Sequence, residues 1–177
     1  MSTRLQREHI TPDPVRVIAA LVAGAYFLWA ALHPLEWRLI DNVNLVIHEA
    51  GHIFFMPFGQ FLMIAGGSLL QLIIPAIFAL YFYYHGKSYS CALVLLWVGE
   101  SLLNVSVYAG DAVSMQLPLL GGKDSIHDWN YMLDELNWLS HTPEIAKALH
   151  AIALLLIVGA TAWAIIAAFR SPKKTYL

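Results

Sequence analysis

The chain has 177 residues, of which 59% are hydrophobic and only 12% charged. A soluble domain carries about 25% charged residues, so the composition excludes an ordinary soluble domain and indicates a membrane protein. A net charge of -2 without a basic face gives no basis for nucleic-acid binding, and the single Cys91 excludes an internal disulfide and reads as a buried structural thiol.

In chain order, Arg4, Arg7 and Arg16 precede an apolar run that reaches about Leu32. This resembles a secretory signal, but Tyr26, Phe27 and Trp29 and the lack of a small-x-small site favour a retained anchor. A membrane helix needs roughly 20 apolar residues. Val15–Trp37 supplies a first span and Val43 to Ala65 a second; Gly66-Gly67 is read as a break before a third, Ser68–Tyr84, with a belt of Tyr81, Phe82, Tyr83 and Tyr84. Tyr89–Leu120 is too long for one upright crossing. It is either one tilted helix or two segments broken near Asn104–Gly110. Basic residues gather at both ends, which places both termini in the cytoplasm, favours an even number of spans, and so favours two crossings here. Gly121–Thr142 is polar, with Ile126, Trp129, Met132, Leu133 and Leu136 at helical spacing. It predicts a short amphipathic surface helix, with Ser125 as its cap. Thr142 is expected to cap a last span over Ile145–Phe169.

The expected fold is therefore an all-α, polytopic membrane bundle of five to six spans plus a surface helix. It forms one domain over 1–177: a cytoplasmic tail (1–14), a membrane core (15–120), a polar loop (121–142), a last span (143–169) and a basic tail (170–177). A bacterial inner membrane is the expected location.

Polar residues inside the apolar runs carry the chemistry. His48, Glu49 and His52 spell H-E-x-x-H. Residues four apart share a helix face, so both imidazoles can reach one zinc ion. Glu49 is rotated about 100° from His48, where it can act as general base towards a metal-bound water. Unpaired ionisable groups in a membrane mark functional sites by default. In "GESLLNVSVYAGDAVSM", Glu100, Asn104, Tyr108 and Asp111 fall within about an 80° sector of a helix. Asp111 is read as the third metal ligand, or else as a substrate- or proton-handling group. In "DSIHDWNYML", His127 is a candidate ligand in place of or beside Asp111. Asp128 suits the start of a helix and is a further candidate ligand. His9 and His141 read as solvent-exposed, and His33, His85 and His150 as interfacial.

Over Asn44–Ala112 these motifs resemble the site-2 protease family of intramembrane zinc metalloproteases. The family's H-E-x-G-H is matched in full by His48-Glu49-Ala50-Gly51-His52. Its A-G-P-x-x-N is similar to Ala65-Gly66-Gly67-Ser68-Leu69-Leu70-Gln71, with Gly for Pro and a displaced Gln71 for Asn. Its N-x-x-P…D-G is similar to Asn104–Asp111 followed by Ala112, without the Pro. The resemblance implies a third zinc ligand at Asp111 and a role for Asn104 in steadying substrate or oxyanion. The family pattern has no counterpart to "HDW".

The reading reached is a membrane-embedded Zn2+ hydrolase, a peptidase acting on a membrane-anchored peptide or protein. Its ligands are His48, His52 and Asp111 or His127, with Glu49 and Asn104 catalytic. The alternatives are a non-proteolytic membrane zinc protein (a lipid or amide hydrolase, or a silent scaffold) and an ion or proton transporter with Glu100, Asp111 and Glu49 as relay. The partners are the lipid bilayer and that substrate, and oligomeric state is left open.

Overall fold

A computed structural model describes residues 13–120, 122 and 125–169, and all regular structure among them is helical. The basic tail and the residues Arg4, Arg7 and His9 lie outside the described residues, so the placement of the termini does too.

Helix α1 spans Pro14–Leu32, opened by Asp13, whose carboxylate accepts from the N–H groups of Val15 and Arg16. It stops short of the expected Trp37 because Pro34 follows and the buried Arg38 guanidinium takes the carbonyls of Ala30 and His33. Helix α2, Leu39–Phe55, has 17 residues and inverted amphipathicity. Asp41, Asn44, His48 and Gly51 form its buried face, while Val46 and Ile53 on the outside are 69% and 70% exposed. Polar inside and apolar outside is the pattern of a helix solvated by lipid.

The second expected span therefore ends early. The chain breaks at Met56–Phe58 and Gly59, where Pro57 removes a donor and Gly59 adopts φ 94°. It does not break at Gly66-Gly67, which lie buried inside the continuous helix α3, Gln60–Tyr84. Those glycines are packing residues. A Cβ on Gly51 would sit 2.2 Å from the Gly66 carbonyl oxygen, and one on Gly66 would sit 2.6 Å from that of Gly51. The backbones of α2 and α3 thus touch, as small residues permit between membrane helices.

Tyr89–Leu120 also yields one crossing rather than two. Helix α4 runs Ser88–Gly110 without interruption at Asn104 and then gives way to a non-helical 111–120 segment. The Asp111 carboxylate turns the chain there, accepting from Ser114 Oγ and from the N–H groups of Gln116 and Leu117 at 2.5, 2.9 and 2.8 Å. Helix α5, Asp128–Glu135, is the expected amphipathic helix, and helix α6 spans Thr142–Phe169. Ser125 does not cap α5: its hydroxyl donates to Leu120, and His127 Nδ1 accepts from the Asn130 N–H instead. Thr142 begins α6, with its hydroxyl donating to the Leu139 carbonyl.

Among the described residues, four stretches are long and apolar enough to cross a membrane: α1, α3, α4 and Leu139–Phe169. This is fewer than the five to six expected, because α2 is short and the 89–120 run crosses once. Helix α4 packs between α3 and α6, α1 lies against α6 and α4, and α2 lies on α3. Ala30, Ala31, Leu96, Leu103, Ala153, Ile157 and Ala160 form the main buried cluster. The polar face of α2 is thereby pressed towards α3 and α4.

Candidate metal centre

His48 projects from the middle of α2 and is buried. Its Nδ1 faces Gln71 Oε1 on α3 at 3.2 Å, and its Nε2 lies 2.9 Å from Asp128 Oδ2 on α5. One turn further along α2, His52 Nδ1 is 2.9 Å from the Met63 carbonyl oxygen. Its Nε2 lies 3.3 Å from the same Asp128 oxygen. A carbonyl only accepts, so His52 must carry its proton on Nδ1. Gln71 Nε2 donates to Asn104 Oδ1 at 2.9 Å, so Gln71 turns its oxygen to His48, whose Nδ1 is the donor too.

With Nδ1 the donor in both rings, the two Nε2 atoms are turned to one carboxylate oxygen. Three electron-pair donors converging without a hydrogen between them repel unless protons or a cation come between. The separations admit either. Ligand atoms about 2.0 Å from a tetrahedral zinc lie about 3.3 Å from one another, against the 2.9 and 3.3 Å found here. A Glu49 carboxylate oxygen and the two histidine nitrogens lie within 4.8 Å of one another. Imidazoles that donate their other N–H to a fixed acceptor are the usual form of metal-binding histidine.

Helix α5 is tied down at every polar residue of its first turn, which accounts for "HDW". His127 caps it, the Asp128 N–H donates to Tyr108 Oη at 3.1 Å, and Trp129 Nε1 donates to Ser68 Oγ at 3.1 Å. Asn130 Nδ2 donates to the Ala112 carbonyl at 2.8 Å, and Met132 packs on Ile64 and Ala65. Burial alone would raise the Asp128 carboxyl, but its bonds to His48 and His52 outweigh that and hold it below its ordinary value.

Asp111 and His127 are brought to each other rather than to the His48–His52 pair. His127 Nδ1 is occupied by the Asn130 N–H, and its Nε2 faces Asp111 Oδ2 at 3.4 Å. Burial would raise Asp111, yet the Ser114 hydroxyl, the two backbone N–H groups and His127 outweigh it and lower the carboxyl. A carboxyl lowered by folding contributes stability that is present above its unfolded value of about 3.9 and is lost as pH falls through the lower folded value. Amide protection at Gln116 and Leu117, taken relative to the unstructured rate, should thus hold at neutral pH and fall only below about pH 3.9. In Asp111→Ala it should be lost at every pH.

Asn104 sits between two scaffold groups. Its Oδ1 accepts from Gln71, and its Nδ2 donates to Asp41 Oδ1 at 3.2 Å. Glu100 accepts from Asn44 Nδ2 at 2.6 Å and faces the Asp41 carboxylate. Asp41 and Asn44 escaped sequence reasoning, and Gln71 entered it only as a displaced match to a family motif. Asp41 and Asn44 carried a signal: with His48 and Gly51 they are spaced three, four and three residues apart, one helix face. Gln71, alone in an apolar helix, carried no periodic signal of its own. No family model matches this chain, and neither does any curated protein or solved structure.

Proposed function

We propose that the chain is a membrane-embedded zinc hydrolase that cuts a peptide bond in a membrane-anchored substrate, with zinc held by His48, His52 and Asp128. The carrying observation is the convergence of two imidazole Nε2 atoms and one carboxylate oxygen, each imidazole fixed by an acceptor at its other nitrogen. Three protein donors leave a fourth position open, as in catalytic rather than closed structural sites. Bound there, zinc would supply a Lewis acid and lower the pKa of its water to about 7.

Glu49 flanks the two histidines. It takes the proton of the attacking water and returns it to the leaving nitrogen, an acid–base contribution of about 10²–10⁴-fold. Tyr108 Oη accepts from the Asp128 N–H, leaving its own proton for the developing oxyanion. The substrate must present an unwound segment, because helical carbonyls are already hydrogen-bonded. The placement of both ends in the cytoplasm of a bacterial inner membrane belongs to this proposal; four candidate crossings among the described residues would set the two ends on one side of the membrane.

Glu49→Gln tests the reading. The variant should keep zinc and lose cleavage of a membrane-anchored reporter peptide by at least about 100-fold. Undiminished cleavage would contradict the assignment of Glu49. Wild-type protein that holds zinc but cleaves neither reporter nor lipid would favour the silent scaffold instead.

A further inference from the structure

We infer that Asp41 is a positioning residue for the metal centre: acting through Asn104 and Gln71, its carboxylate dictates which nitrogen of His48 keeps a lone pair. The inference rests on the metal reading above. Asp41 and His48 stand on the same buried face of α2, two helical turns apart. They are joined by a path that leaves the helix and returns to it: Asp41 to Asn104 on α4 at 3.2 Å, Asn104 to Gln71 on α3 at 2.9 Å, and Gln71 to His48 at 3.2 Å.

The direction of every bond in this path follows from its first member. A carboxylate has no hydrogen to give, so Asn104 must turn its NH₂ towards Asp41 and its oxygen towards Gln71. Gln71 must then give its NH₂ to Asn104 and present its oxygen to His48, which must donate from Nδ1. The lone pair is left on Nε2, the atom beside Asp128. Asp41 is itself fixed, since its other oxygen accepts the Arg38 N–H at 2.5 Å and the Arg38 guanidinium stands 4.0 Å away. Gln71 Nε2 has a weaker second acceptor, the Ser101 carbonyl at 3.5 Å, which supports the same orientation. Asp41 and Gln71 are 3% and 2% exposed, so water does not readily replace a lost partner. His52 needs no such path, because a backbone carbonyl fixes it directly.

Solid-state ¹⁵N NMR of ring-labelled histidine, on metal-free protein in lipid and with His48→Asn to assign the signal, reads the tautomer itself. Wild type should show His48 Nδ1 protonated, whether or not a second proton lies between Nε2 and Asp128. Asp41→Asn leaves one oxygen for two donors, and should populate a form that has lost the Nδ1 proton and weaken zinc binding about 10-fold. Gln71→Met should go further, with a 10–100-fold loss of affinity, the range for outer partners of metal-bound histidine. Gln71→Glu, which still accepts from Nδ1, should keep the native tautomer, and His52 should not change in any of them. A His48 spectrum indifferent to Asp41→Asn and Gln71→Met in folded protein would overturn the inference. The tautomer is read without metal, so it upholds or overturns the path even where zinc binding itself fails.

Discussion

Asp128→Ala should strip zinc from the purified protein, whereas Asp111→Ala should leave it bound. Both carboxylates follow α4, and both are buried, yet their oxygens are committed differently. Asp128 places one oxygen against both histidine Nε2 atoms. Asp111 spends its oxygens on Ser114, Gln116, Leu117 and His127. Losing one of three ligands should cost more than the 10–100-fold of an outer partner, and thus on the order of 1,000-fold in affinity. Asp111→Ala should loosen the 111–117 turn with at most a few-fold change at the metal. His127→Ala should behave like Asp111→Ala, because its Nδ1 serves as a helix cap. Chelator competition on detergent-purified variants measures each directly. Zinc retained by Asp128→Ala and lost by Asp111→Ala would return the third ligand to Asp111.

The glycine contacts give the second large effect. In Gly51→Ala the new methyl would lie 2.2 Å from the Gly66 oxygen and 2.9 Å from Gly67 Cα, both backbone atoms with nowhere to rotate. Overpacking costs about 1–3 kcal/mol where side chains can adjust, so about 3 kcal/mol or more is expected here. In a chain of this size that lowers Tm by roughly 10 °C. Gly67→Ala meets His48 Nε2 at 2.5 Å, so it should abolish metal binding with a smaller stability loss. Gly159→Ala in α6 meets nothing within 4 Å and serves as the control. Relieving a helical glycine is worth up to about 1 kcal/mol, so its Tm should hold or rise. Thermal unfolding in detergent with zinc titration separates the three; an unshifted Gly51→Ala would contradict the backbone contact of α2 and α3.

The membrane class and the helical elements were legible because lipid solvation writes itself into composition and run length. Boundaries were less so. The glycines at 66 and 67 look like a breaker when α3 is read alone; only the facing Gly51 turns them into a contact surface. Pro57 and Gly59 are the true interruption, hidden inside an apolar run that invites a single span. At the site, H-E-A-G-H shares one helix and could be read locally. The stripe of Glu100, Asn104 and Tyr108 does face α2, through Asn44, Asp41 and His48 respectively. Asp111 extends that stripe only if the helix continues, and it stops at Gly110. What brings Asp128 to the histidines is the docking of α5 through Tyr108, Ser68 and Ala112, contacts between distant segments that no local spacing encodes.

X-ray absorption at the zinc edge, combined with metal analysis of the wild-type protein purified in detergent, reads the proposed centre itself. About one zinc per chain is expected, in a four-coordinate shell of nitrogen and oxygen with two imidazoles among the ligands and no sulfur. Protein purified without chelator and supplied with zinc that still holds no stoichiometric metal, its His48–Asp128–His52 contacts kept by protons alone, would contradict it.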